Sequence, residues 1–230
     1  LENGLGDRAF DVHFDCIDEH SISGWRFSRG WANNQKLFFY AQTSKPFDSF
    51  EIKGDKYCRL NFKTSDGEKI LLKVALSPVS ADNAKMNMEE ELPLWDFEGT
   101  VKAAKKAWNE ELAKVKVETG DENTRTIFYT ALYHTMIAPS VYDDVNGEYR
   151  GSDDRIHASA GTTNYTTYSL WDTYRAEMPL LSIIQSEKMD GMINTMLQIY
   201  KEQGKLPVWH LMSCETNCMV GNPGAIVVAD

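Results

Sequence analysis

Two short stretches of this sequence concentrate side chains that can do chemistry together. Ser169-Leu170-Trp171-Asp172-Thr173-Tyr174-Arg175 places an indole, a carboxylate, a phenol and a guanidinium at the start of one expected helix. A sugar asks for that mixture, because its C–H face stacks on an aromatic ring and its vicinal hydroxyls pair with charged or amide groups. The same residues also read as an ordinary helix start, with Asp172 as cap, Trp171 in the core and Arg175 paired with an acid. The second stretch runs from Leu206-Pro207-Val208-Trp209-His210 into Ser213-Cys214-Glu215-Thr216-Asn217-Cys218, an apolar-aromatic loop leading to a polar helix start. Such a helix start can offer backbone N–H groups to hydroxyls or to a carboxylate. Glu215 is the best acid/base candidate in view, since a carboxyl desolvated among aromatics can hold a proton for a glycosidic oxygen. A Glu beside a Trp is also a common packing neighbour.

Other candidates carry less. His210 and His134 read as hydrogen-bonded or core histidines rather than ligands. Asp143-Asp144 and Asp153-Asp154 are carboxylate pairs that can attract calcium, but their spacing is not that of a calcium loop, so solvated turn residues are the plainer reading. Cys16, Cys58, Cys214 and Cys218 contain no zinc-type pair, and each reads as a small buried hydrophobe. Cys214 and Cys218 would share a helix face if their segment is helical. No G-x-S-x-G elbow, Walker loop or dinucleotide fingerprint occurs.

The elements that must position these residues fall into two halves. From Gly24 to Pro78, aromatic and β-branched runs (25–28, 36–42, 50–52, 57–62 and 69–75) alternate with turn chemistry, and Asp66-Gly67 is a strong hairpin signal. Short strands so spaced imply part of a two-sheet sandwich. After Pro93 the period changes, and Val101, Ala104, Trp108, Leu112 and Val115 mark an amphipathic helix of roughly five turns. Gly120-Asp121 then stops one helix and caps another, which ends before Pro139. Val141 to Gly151 reads as a hairpin with Asn146-Gly147 at its tip. A third helix starts at Ser169 with a kink at Pro179, a fourth covers about 188–203 and stops at Gly204, and a fifth begins between Thr216 and Gly224. The expectation is a mixed β + α chain of two domains: 1–94 as part of a β-sandwich, 95–119 as a linker helix, and 120–230 as the first part of an α/α toroid.

The 230 residues carry a formal net charge of -10, with 42% hydrophobic and 25% charged side chains. That is the composition of a globular chain able to bury a core. No basic run tracks a phosphate backbone, which argues against nucleic acid as partner. No apolar run is long enough to span a membrane. Leu1 to Asp11 is polar and Gly-rich rather than a signal peptide.

In order along the chain, Gly24-Trp25-Arg26-Phe27-Ser28-Arg29-Gly30-Trp31 with Gln35 and Phe38-Phe39, Tyr129 to His134, Tyr149-Arg150-Gly151, Ser169 to Arg175, Gly204-Lys205-Leu206-Pro207 with Trp209, and Glu215-Thr216-Asn217-Cys218-Met219 with Gly221 resemble glycoside hydrolase family 92. The Trp-Asp-Thr-Tyr-Arg and Glu-Thr-x-Cys-Met-x-Gly stretches are its specific parts. The resemblance implies an N-terminal β-sandwich, a linking helix and an (α/α)6 barrel with the site between the domains. It implies a calcium-dependent, inverting exo-α-mannosidase, most often exported by bacteria, acting on mannose-containing N-glycans or mannan, with α-1,2-type linkages as the first expectation. Trp171, Asp172, Arg175, Trp209, Glu215, Thr216 and Cys218 would then contact the terminal mannose, with Arg175 bracing Asp172. Glu215 moves from acid to binding residue.

An inverting enzyme needs two carboxyls about 6.5–9.5 Å apart. The resemblance places both, with the calcium ligands, beyond Asp230, so no catalytic residue is expected in this chain and the rest of the full-length protein is its first partner. Asn222-Pro223-Gly224 departs from a histidine-bearing stretch common in the family, which leaves linkage preference open. Two other readings remain: a carbohydrate-binding module without acid or base, and another α/α-toroid glycosidase acting on glucosides.

Overall fold

The computed structural model describes residues 6–54, 56–159 and 161–230. Alternation builds the first half. Strands β1 (Arg8–Cys16), β2 (Ser21–Arg29) and β3 (Gln35–Thr43) form an antiparallel meander, and β6 (Leu72–Ser77) pairs with β3, giving the order β1-β2-β3-β6. Gly24 lets β1 approach β2, since a Cβ there would sit 2.0 Å from the His13 carbonyl oxygen. Strand β1 departs from the sequence reading, which saw only a polar opening. Its Val12, Phe14 and Cys16 alternate with Asp11, His13 and Asp15, and a register shift between Ala9 and Asp11 interrupts the pairing.

Strands β4 (Ser49–Lys53) and β5 (Tyr57–Asn61) form a separate hairpin, so Asp66-Gly67 turns the chain between sheets and closes no hairpin. Among the described residues the strand-rich half is thus one four-stranded sheet plus this hairpin. One sheet face is covered by a helix that the sequence reading lacked, α1 (Ala81–Glu91), whose Ala84 and Met88 pack on Tyr40 and Ala75. Ser80 caps it by accepting from the Asn83 N–H at 3.0 Å.

Helix α2 (Phe97–Leu112) is the helix expected over 95–119, about two turns shorter at its end, and is capped by Asp96 on the Gly99 N–H at 2.8 Å. Asp121 caps α3 (Glu122–His134) through the Asn123 and Thr124 N–H groups, as its sequence implies. Trp108 meets Tyr133 edge to face at 4.5 Å between these two helices.

The expected hairpin over 141–151 does not form. Asn146-Gly147 does turn the chain, with the Gly147 N–H on the Asp144 carbonyl at 2.7 Å, but its flanks pair elsewhere. Strand β7 (Ser140–Val141) pairs with β10 (Tyr165–Thr166), and β8 (Glu148–Arg150) with β9 (Ile156–Ala158). The reason is Asp144. It is buried, and its carboxylate accepts from Ser77 Oγ (2.6 Å), Asn83 Nδ2 (2.8 Å) and Asn87 Nδ2 (2.7 Å), which locks this turn onto α1 and the end of β6. Neither carboxylate pair is only solvated, as a plain turn would leave it: Asp143 accepts from Ser159, Asp153 bonds His157, and Asp154, though exposed, takes Lys36 and Arg150.

The third predicted helix is two. One turn, α4 (Leu170–Thr173), breaks before α5 (Glu177–Ile184), and Ser169 makes no side-chain cap. Pro179 kinks nothing, because it stands in the first turn of α5, where no intrahelical N–H is needed. Helix α6 (Ser186–Gln203) ends as predicted at Gly204, whose φ of +80° is the left-handed cap. Residues Glu215 to Gly221 are not helical. Instead β11 (His210–Leu211) and β12 (Cys214–Glu215) form a small hairpin, and the fifth expected helix is α7 (Pro223–Ala229), which starts at the far end of the expected range. Cys214 and Cys218 therefore share no helix face, and all four cysteines are free thiols. The core of this half gathers Tyr168, Leu170, Leu181, Met196, Ile199 and Val227 from β10 to α7.

Candidate functional site

The loops after β10 and after α6 are tied by backbone. Tyr168 and His210 exchange both N–H···O bonds, at 2.9 and 3.0 Å, and the Trp171 N–H reaches the Val208 carbonyl at 3.3 Å. The two stretches that the sequence singled out are thereby brought side by side. From the sheet half, the β2–β3 loop arrives with Trp31, whose ring lies 4.3 Å from that of Trp209 at 39°. The Asn34 carbonyl accepts from Cys214 Sγ at 3.4 Å. Lys36 on β3 donates to Asp154 at 2.5 Å, a second tie between the halves. A cavity of about 280 Å3 lies along this junction, with Asn33, Ser152, Lys205 and Glu215 in its wall.

Glu215 shapes the loop. It is buried, and its carboxylate accepts from three backbone N–H groups: Val208 at 2.8 Å, Trp209 at 3.2 Å and Asn217 at 3.0 Å. Thr216 donates its N–H (3.1 Å) and hydroxyl (2.8 Å) to the Trp209 carbonyl, and its Oγ1 lies 3.1 Å from exposed Cys218 Sγ. Together they fix the backbone of Trp209. His210 is also buried, with Nε2 2.9 Å from Ser152 Oγ, and burial lowers its imidazole to about 4 against the weaker opposing pull of Glu215. It stays neutral and structural at ordinary pH. Met212, Ser213, Asn217 and Thr167, in these same loops, hold positive φ without being glycine, strain that such surroundings sustain where a surface is shaped for function.

On the α4 side, the Asp172 carboxylate is exposed and has no hydrogen bond or ion pair to the described residues. Arg175 does not brace it, contrary to expectation. The guanidinium lies over the Trp171 ring at 5.1 Å and the Tyr174 ring at 4.6 Å, and donates to Tyr174 Oη at 2.8 Å. Stacking of this kind stiffens the two aromatic rings and leaves Asp172 free.

Sequence reasoning missed Glu177, at the first position of α5. Half-buried and without a hydrogen-bond partner among the described residues, it is pushed up to about 7 by burial and then by the charge of Asp172. Between about 4.5 and 7 the folded protein holds a proton that the unfolded chain releases, so this group's contribution to stability falls as pH rises through that window. Glu177→Gln is expected to stabilise the protein by about 1 kcal/mol above pH 7, after allowance for solvent screening, and to do little below about pH 4. Urea melts at the two pH values check this, and equal effects at both would contradict it.

Among the described residues no group of three His, Cys, Asp or Glu side chains could hold a metal ion.

Stacking rings beside a free carboxylate, at the joint of a sheet and a helical half, are the equipment with which proteins grip sugar rings. The model of the glycosyl hydrolase family 92 catalytic domain matches residues 83–230, and the chain belongs to that family. Its structure is similar to that of a family GH92 α-mannosidase from Bacteroides thetaiotaomicron, with a TM-score of 0.89 at 30% identity over 96% of this chain and 33% of that one. That enzyme has also been solved in complex with mannoimidazole. A family GH92 inverting mannosidase from the same organism shares the fold, with a TM-score of 0.83 at 23% identity over 96% of this chain and 32% of that one. An uncharacterized secreted glycosidase of Arthroderma benhamiae is 27% identical over 189 residues, 80% of this chain and 20% of that protein. The chain thus spans about a third of the solved relatives and a fifth of that glycosidase.

Proposed function

We propose that this chain forms one wall of the substrate cleft of an inverting exo-α-mannosidase, holding the terminal mannose for a reaction whose acid and base stand elsewhere in the full-length protein. The observation that carries this reading is the unengaged Asp172 carboxylate one residue from the Arg175-stacked Trp171, whose backbone N–H joins the loop of the Trp31–Trp209 pair at Val208. Trp209 and Trp31 offer the stacking surface, and Asp172 accepts from vicinal mannose hydroxyls. Glu215 and Thr216 hold the loop that carries Trp209, and Cys218 borders it. Mannoimidazole bound to the similar Bacteroides enzyme supports mannose as the sugar.

In the same reading the sheet half is part of a β-sandwich and the helices open an (α/α)6 barrel. Calcium is held by residues in the part of the relatives' length that this chain does not span. The natural substrate is an N-glycan or mannan, first of all an α-1,2-linked one, and the protein is exported, as the secreted relative suggests. No helix among the described residues is long and apolar enough to cross a membrane.

The test is hydrolysis of a panel of α-mannosides and α-glucosides by the full-length protein, with and without a calcium chelator. Release of mannose alone, stopped by the chelator and restored by calcium, is the expected result. Glucose release would favour the glucoside reading, and binding of mannosides without hydrolysis would favour a binding module.

A further inference from the structure

A second concave surface lies apart from the cleft and shares none of its residues. It is a cavity of about 290 Å3 between the β8–β9 hairpin, the 162–164 segment before β10, and the middle of α6. Asn194 and Gln198 project into it from successive turns of α6, and Thr162, Thr163 and Asn164 face them. None of these five side chains has a hydrogen-bond partner among the described residues: Asn164 is buried, Asn194 and Gln198 are half-buried, and Thr162 and Thr163 are exposed at the rim. They converge with their donors and acceptors unspent.

The lining also says what does not belong there. Its two titratable groups are committed elsewhere: Tyr149 donates to Glu202 at 2.9 Å, and His157 bonds Asp153 at 2.9 Å while stacking on Tyr149. No charged side chain lines the cavity, so an ion finds no counter-charge. Amide and hydroxyl groups each donate and accept, and a vicinal diol does the same, so the lining complements a neutral polyol. The volume lies just below the range usual for ligand sites, about 300 to 1,000 Å3, and suits a single ring rather than a chain.

We propose that this cavity is a second sugar-binding position, which takes one neutral pyranose through the Asn194, Gln198 and Asn164 amides and the two threonine hydroxyls. It lets the protein hold a glycan at a point other than the one it cuts, and it stands whatever sugar the cleft accepts.

The test is NMR titration of the 15N-labelled protein with methyl α-D-mannopyranoside and methyl β-D-glucopyranoside, with glycerol and phosphate as comparison solutes. At least one pyranoside is expected to shift the backbone amides of residues 162–164 and 194–198 saturably, while glycerol and phosphate leave them in place. The Asn194→Ala/Gln198→Ala double variant is expected to weaken that binding at least about tenfold. It should fold, because alanine is the stronger helix former at both positions. Asn194→Trp, which fills the cavity, should abolish the shifts, and Trp209→Ala should leave them. No saturable shift, an equal response to glycerol, or an unchanged titration in the double variant would overturn the proposal and make this a water-filled pocket. Loss of mannoside hydrolysis in Trp209→Ala with these shifts intact separates the two sites.

Discussion

Replacing Asp144 by alanine is expected to lower the free energy of unfolding by about 3–5 kcal/mol, among the largest costs of any single side chain here. The carboxylate is buried and collects donors from three places: Ser77 at the end of β6, and Asn83 and Asn87 one turn apart on α1. Alanine removes the acceptor and strands those donors where water reaches poorly, and an unsatisfied buried donor costs about 1–3 kcal/mol. Asp144→Asn keeps the shape and one acceptor oxygen, and should cost about half as much. Its neighbour Asp143, whose carboxylate accepts only from Ser159 among the described residues, serves as control, with Asp143→Ala costing less than about 1 kcal/mol. Urea melts of the three variants give the comparison. Equal, small losses at both aspartates would mean that water replaces the carboxylate and that the joint between α1 and the β7–β8 turn is not held by it.

Asp172→Ala is expected to reduce kcat/KM for mannoside hydrolysis about 100- to 1,000-fold in the full-length protein, some 3–4 kcal/mol of transition-state stabilisation. Asp172 is exposed and makes no hydrogen bond or ion pair with the described residues, so folding should survive its loss. Its effect should fall chiefly on kcat, because bonds to sugar hydroxyls strengthen as the ring distorts toward the transition state. Steady-state kinetics with matched far-UV spectra check both points. A rise in KM with kcat unchanged would make Asp172 a simple binding residue, and no effect would remove it from the cleft.

The sequence exposed what depends on local pattern. The period of three and four from Val101 to Val115 and the cap at Asp121 led directly to α2 and α3, and Gly204 marked the end of α6 to the residue. The cluster of Trp171, Asp172, Trp209 and Glu215 was visible as composition, and its two halves do meet through the Trp171–Val208 and Tyr168–His210 bonds. What stayed hidden was decided by partners distant in the chain. Strand β1 alternates with acids and a histidine, and exists because β2 pairs with it. Asp144 looks like a turn residue until α1 arrives with two asparagines, and α1 itself has little apolar periodicity to announce it. The β11–β12 hairpin turns on Met212-Ser213, which take positive φ without a glycine or asparagine to announce it and are held by Thr166 and Tyr142. Glu177 is unremarkable by type, and only burial beside Asp172 raises its proton affinity.

The most direct test of the central claim is time-resolved proton NMR of an α-mannobiose mixed with the full-length protein, reading which anomer of mannose appears first. The account predicts β-mannose, which then mutarotates. Free α-mannose as the first product, or no mannose from a folded protein, would contradict it.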